Sequence, residues 1–102
     1  MNAELLTILG EPKRLQIIEA LGVEPKSVNE LVVALDTSQP TVSKHLRILR
    51  DAEVVRCDVL AQKRIYQLRQ EPFKQLDAWL QSYRRMWEGH LDALEDFLEE
   101  ED

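Results

Sequence analysis

Ser27 and Ser38 each carry the marks of a helix start, and between them there is room only for a short helix and a break. Ser27 has Glu30 three residues on, an S-x-x-E capping box that leads into Leu31, Val32 and Leu35. Asp36 and Thr37 interrupt that pattern, and Ser38 can cap the helix that follows, with Pro40 in its first turn where a missing N–H is no loss. Two helices about three residues apart, the second opening on its own cap, make a helix-turn-helix pattern, although other helical hairpins share it. What flanks the pair narrows the choice. Upstream, Leu5, Leu6, Ile8 and Leu9 form a short helix closed by Gly10, and Pro12 opens another whose stripe is Leu15, Ile18 and Leu21, ended by Gly22. Downstream, Val54 to Leu60 and Arg64 to Arg69 are two extended runs with Ala61, Gln62 and Lys63 as a hairpin tip. A hairpin directly after a helix-turn-helix is a wing. The expected fold is mainly α with a two-stranded β-hairpin wing, a winged helix-turn-helix.

The length of 102 residues suits one domain. No apolar run is long enough to span a bilayer and no secretory leader is present, so no membrane partner is expected. The one cysteine allows no intramolecular disulfide, and the expected location is cytoplasmic. The net charge of −6 conceals an uneven distribution. Residues 37–69 carry seven Lys/Arg against three Asp/Glu, whereas residues 88–102 carry eight acids and no Lys or Arg. Attraction to a polyanion depends on the face presented, and the cations coincide with the two elements that would meet DNA.

SQPTVSKHLRILRDAEVVR followed by KRIYQL resembles the arsenic-repressor (ArsR/SmtB) family of bacterial winged-helix regulators, over about Leu6 to Leu68. Its recognition helix has the form S-Q-x-T-V-S-x-H-L-x-x-L-x-x-A and its wing ends R-x-Y-x-L. The resemblance implies a sequence-specific transcriptional regulator, most simply a repressor that occludes a promoter. The family pattern has glycine where Glu53 stands and another at the wing tip, where this chain has Ala61 and Gln62.

At 100° per residue, Val42, Leu46 and Leu49 share the side of the second helix that faces the core, which turns Pro40, Ser43, Lys44 and Arg47 outward. The major groove admits one helix and favours Arg or Lys on guanine and Gln on adenine. Ser38 as cap, with Gln39, Thr41, Ser43, Lys44 and Arg47, are therefore the candidates for base or nearby phosphate contacts. His45 lies on the flank, open either to a phosphate or to a half-packed place. Lys63 and Arg64 at the wing tip would meet phosphates or the edge of the minor groove.

From Phe73 onward, Leu76, Trp79, Leu80, Tyr83, Trp87, Leu91, Leu94 and Leu98 recur at three- and four-residue steps. A chain this small cannot cover such a stripe, and a two-fold interface is its usual destination. The expected homodimer uses Leu5, Leu6 and Leu9 together with Trp79, Tyr83, Trp87, Leu91, Leu94 and Leu98, on helices at about 2–10 and 72–100 that flank a DNA-binding core at about 11–69. W-L-x-x-Y-R-x-x-W also resembles a branch of the family whose long terminal helices pair. A hydrophobic-ligand pocket lined by Trp79 and Trp87 is the sharper alternative.

Relatives that detect metals through a cysteine pair carry it on the helix before the recognition helix, where this chain reads Glu30-Leu-Val-Val-Ala-Leu35. His90 with Glu88 and the late acids, including Glu101, is a poor substitute, so neither metal nor cofactor is expected. Cys57 alternates in phase with Val55 and Val59 and fills space in a strand. Enzyme chemistry is not expected, because His45, His90 and Cys57 stand on three different elements and no phosphate-binding glycine loop is present. The reading is a homodimeric DNA-binding regulator whose partners are an operator duplex and a second copy. An adaptor module, or a sensor with a ligand site between subunits, is the alternative.

Overall fold

The computed structural model describes residues 3–100. Positions 1, 2, 101 and 102, and with them the first residue of the expected N-terminal helix and Glu101 and Asp102 of the acidic end, lie outside the described residues. The elements follow in the order α1 (Ala3–Leu9), α2 (Pro12–Val23), β1 (Lys26–Ser27), α3 (Val28–Leu35), α4 (Gln39–Asp51), β2 (Val55–Leu60), β3 (Lys63–Leu68) and α5 (Gln70–Glu100). The chain divides into two compact units, one running to Pro72 and the other beginning at Phe73. None of the described helices is long and apolar enough to cross a membrane.

Local chemistry sets the helix boundaries of the first unit. Both halves of the capping box form: the Glu30 N–H donates to Ser27 Oγ at 3.2 Å and the Ser27 N–H donates to Glu30 Oε1 at 3.0 Å. These Ser27 bonds hold the Glu30 carboxyl below its ordinary pKa, Lys26 and Lys63 adding to the effect. Asp36 ends α3 in the left-handed region at φ 50°, so that Thr37 donates back to the Val32 carbonyl and Asp36 to that of Val33. Ser38 then caps α4 and Pro40 occupies its first turn. The same closing motif ends α4: Glu53, at φ 61°, donates to the Arg50 carbonyl, and Val54 donates to that of Leu49 at 2.9 Å.

The apolar face of α4 falls where its periodicity puts it, with Val42, Leu46 and Leu49 fully buried. Around them are Ile17, Ile18 and Leu21 of α2, Leu31 of α3, and Val54, Val55 and Tyr66. The stripe expected on α2 is rotated: Ile17 is fully buried and Leu15 is exposed. Neighbouring apolar positions at 15, 17, 18 and 21 permit two stripes, and the helices packed on α2 select one.

The wing is the expected antiparallel hairpin, with β2 paired to β3 from Val55↔Leu68 to Leu60↔Lys63. Lys63 belongs to the strand and not to the tip, which is Ala61-Gln62 alone. Both tip residues have positive φ, 50° and 69°, the requirement of a two-residue turn of type I′. Beyond the expected pair there is a third strand: β1 pairs with β3 through Lys26↔Tyr66 and Ser27↔Ile65, giving the order β1-β3-β2. Cys57 stands opposite Tyr66. Burial, and after it the hydrogen bond with Cys57, raises the pKa of the Tyr66 hydroxyl. Val59, expected in phase with buried Val55, is exposed because the hairpin runs out beyond the core.

The second unit is the body of α5, a helix of 31 residues with no buried residue. Trp79, Tyr83, Trp87 and His90 form a line of ring contacts along it, with centroids 5.6, 6.1 and 6.3 Å apart. Trp79, Tyr83, Trp87, Leu91, Leu94 and Leu98 are all exposed. Of the α1 residues expected at an interface, Leu6 is exposed and Leu9 half-buried, but Leu5 is buried with Ile8. Leu5 is therefore corrected to a core residue, because its side chain has little surface left to offer a partner.

A left-handed conformation costs a residue with a Cβ roughly 1–2 kcal/mol, part of which glycine loses again through the greater freedom of its unfolded chain. Glu53→Gly is accordingly expected to stabilise the protein by about 0.5–1 kcal/mol, raising Tm by several degrees in a thermal melt. A lower Tm would show that the Glu53 side chain offsets its own strain.

Candidate nucleic-acid interface

The inward anchors of α4 decide what it presents outward. Gln39, Pro40, Ser43, Lys44, Arg47 and Arg50 are exposed. Ser38 and Thr41 are engaged with each other. Thr41 donates its backbone N–H to Ser38 Oγ at 3.3 Å, and the two hydroxyls lie 2.8 Å apart. Thr41 is also half-buried, so this pair fixes the first turn and leaves Gln39, Ser43, Lys44 and Arg47 as the exposed polar and basic side chains of the outward face.

His45 departs from the expected flank position. The side chain is buried, with Nδ1 facing Glu11 Oε2 at 3.8 Å, and it is not available to DNA. A helical wheel drawn from α4 alone leaves position 45 near the border of the apolar arc, and the start of α2 covers that border.

Among the described residues, none of Lys44, Arg47, Lys63 and Arg64 is held in an ion pair. Exposed cations without a carboxylate partner keep their charge available to phosphates. Arg56 differs, because its Nε lies 3.4 Å from Asp58 Oδ2, and Gln67 donates to the same oxygen at 2.6 Å.

The wing lies closer to the helix-turn-helix than sequence order suggests. An open cleft of about 400 Å³ is bordered by Asn29 and Glu30 of α3, by Gln39, and by Gln62, Lys63 and Arg64 of the wing. The pairing of β1 with β3 draws the base of the wing against the start of α3. Asn29 and Gln62 thus join the polar surface, and no sequence signal marked them, since the strand that brings them together is two residues long.

Other expected sites stay apart. Cys57 is half-buried in the wing, and His90 packs edge-on against Trp87 on α5. Among the described residues of one chain, no three His, Cys, Asp or Glu side chains gather in a way that could hold a metal ion.

A family model described as "Bacterial regulatory protein, arsR family" matches residues 11–56, from the cap of α2 into β2. The HTH-type transcriptional regulator MJ0229 of Methanocaldococcus jannaschii is 38% identical over 69 residues, 64% of this chain and 73% of that one. The HTH-type transcriptional repressor SmtB of Mycobacterium tuberculosis is 42% identical over 65 residues, 64% of this chain and 48% of the repressor, so the match spans about half the length of that relative. Among solved structures, the transcriptional repressor BigR from Xylella fastidiosa superposes with a TM-score of 0.67 at 31% identity, covering 79% of this chain and 80% of that one. With the capped helix pair, the hairpin behind it and these relatives in agreement, the chain belongs to the arsR family of bacterial regulatory proteins.

Proposed function

We propose that this chain is a sequence-specific DNA-binding transcriptional regulator, a homodimeric repressor that places α4 in the major groove of an inverted-repeat operator. The observation that carries the reading is the outward face of α4, where Ser43, Lys44 and Arg47 stand exposed, the two cations unpaired, on a helix whose opposite face is fully buried. Such a helix is rigidly oriented and polar where a groove would lie. The wing supplies Lys63 and Arg64 for phosphates, which position a protein without reading sequence. SmtB and BigR, both named as transcriptional repressors, support the repressing sense.

Two-fold pairing through α5 accounts for its exposed aromatic and leucine face, because apolar surface of this extent needs a partner in water. A two-fold dimer presents its recognition helices about one turn of DNA apart, roughly 34–36 Å, which is why the operator should be an inverted repeat. Regulation without a metal fits the absence of a cysteine pair from α3, because thiolates supply most of the strength of soft-metal sites.

Lys44→Ala or Arg47→Ala should weaken operator binding at least tenfold, about 1.4 kcal/mol, while the thermal melt is little changed. Unchanged affinity in both would remove α4 from the groove. The double variant Lys63→Ala, Arg64→Ala should flatten the slope of log affinity against log salt by roughly 0.9 for each phosphate that a subunit no longer neutralises. An unaltered slope would mean that the wing hangs free of DNA. Charged replacements at Trp87 and Leu91 would put unpaired charge into the dimer surface and should give monomers in sedimentation, with loss of tight operator binding. A dimer that persists would place the interface elsewhere, with Leu6 and Leu9 of α1 as the next candidates.

A further inference from the structure

Among the described residues, His45 Nδ1 is a buried side-chain nitrogen without a hydrogen-bond partner. It lies on the inner side of α4 with Val42, Leu46 and Leu49, where a polar atom is costly unless something answers it. What faces it is the Glu11 carboxylate, with Oε2 3.8 Å from Nδ1. The same oxygen accepts the Arg14 N–H at 2.9 Å and so caps α2. Glutamate is not among the favoured N-cap residues; Ser, Thr, Asp and Asn do this work with shorter side chains. The added methylene of Glu11 lets one carboxylate serve the start of α2 and also reach the recognition helix. At 3.8 Å the contact is too long for a hydrogen bond but short enough for an ion pair. It is therefore slack for a neutral imidazole and attractive for a protonated one.

The other charged groups on the surrounding elements are engaged elsewhere or exposed to solvent. On α2, Arg14 donates its Nε to the Ile8 carbonyl at 2.7 Å, and Lys13 stands beside it in the first turn. On α3, Glu30 is held in its capping box and Asp36 forms the C-terminal cap. On β2, Arg56 and Asp58 face each other, and on α4 itself Lys44 and Arg47 are exposed. Glu11 is thus the acid that can answer His45.

We propose that His45 is a positioning residue that ties the recognition helix to the start of α2 through the Glu11 carboxylate, the proton on its imidazole deciding whether the tie is closed. The inference rests on the DNA-reading function proposed above. Apolar packing fixes which face of α4 turns inward, and a charged tie adds a directional contact at one point on that helix. His45 adjoins Lys44 and stands two residues before Arg47, so the tie bears on the fine placement of those two side chains and not on which face of α4 turns outward. Base contacts tolerate displacement less well than phosphate contacts, so the tie acts on specificity more than on attraction. Imidazole changes charge between about pH 5 and 8, and the protonated form is drawn to Glu11, so discrimination between DNA sequences is greater at the acidic end of that range.

Two measurements on the full chain test this. In the absence of DNA, the His45 ring resonances are followed by NMR between pH 6 and pH 8 in the wild type and in Glu11→Gln, which keeps an oxygen for the Arg14 N–H but loses the charge. At pH 6 the ring resonances of the variant are displaced from those of the wild type; coincident resonances overturn the tie. With DNA, the duplex that the wild type selects from a random library is compared with an unselected duplex of equal length at pH 6 and pH 8. The affinity ratio is at least threefold higher at pH 6 in the wild type and flat in both Glu11→Gln and His45→Gln. A ratio equally pH-dependent in the variants overturns the positioning role while leaving DNA reading intact. A wild type that selects no duplex overturns both, and the DNA-free titration still reads the tie by itself.

Discussion

The orientation of α4 depends on three side chains. Val42, Leu46 and Leu49 are fully buried, and each such burial stabilises the fold by roughly 1.5–3 kcal/mol. Together that is comparable to the entire stability of an ordinary domain, about 5–15 kcal/mol. The helix therefore cannot roll by even one position without losing much of what keeps the protein folded. Everything on its other side inherits this constraint: Gln39, Ser43, Lys44 and Arg47 face outward because the alternative would bury them. That outward face is rigid as a by-product of the core behind it.

The same logic extends to the ends of the element. Among the described residues, the four non-glycine residues with positive φ, Asp36, Glu53, Ala61 and Gln62, all border α4 or lie at the wing tip. In each case neighbouring structure holds a conformation that glycine would adopt more easily. Thr37 and Val54 donate back into the helices they follow, Val54 and Leu49 are buried together, and the β2–β3 ladder closes directly around Ala61-Gln62. The turns that aim the recognition helix and the wing are determined by hydrogen bonds and packing more than by local backbone preference.

The long α5 poses the opposite problem. Helices in water gain most of their stability from burying one face, yet none of the described residues of α5 is buried within the chain. The stacked and edge-on contacts among Trp79, Tyr83, Trp87 and His90 order that face without covering it. The charge of the chain is divided along similar lines, cations over α4 and the wing and acids toward the end of α5, so the net −6 does not describe the surface proposed for DNA.

Much of this was legible in the residues because the signals are local. A capping box spans four residues, a proline in a first turn concerns one, and the Val42-Leu46-Leu49 period lies within one helix, so the capped helix pair, the hairpin, the outward polar face of α4 and the family block could be read in order along the chain. What involves distant partners could not. The choice of Ile17 over Leu15 depends on which helices pack on α2; the two residues of β1 form a strand only because β3 lies beside them; Asn29 and Gln62 border one open cleft only because this pairing draws the wing toward α3. His45 shows the division most sharply. By itself the sequence determined that a histidine would stand beside the apolar arc of α4, because helical periodicity is a property of neighbours. Only the tertiary structure decided that the border would be buried and that the atom facing Nδ1 would be the Glu11 carboxylate, because solvation and charge in a folded chain are set by residues far apart in sequence.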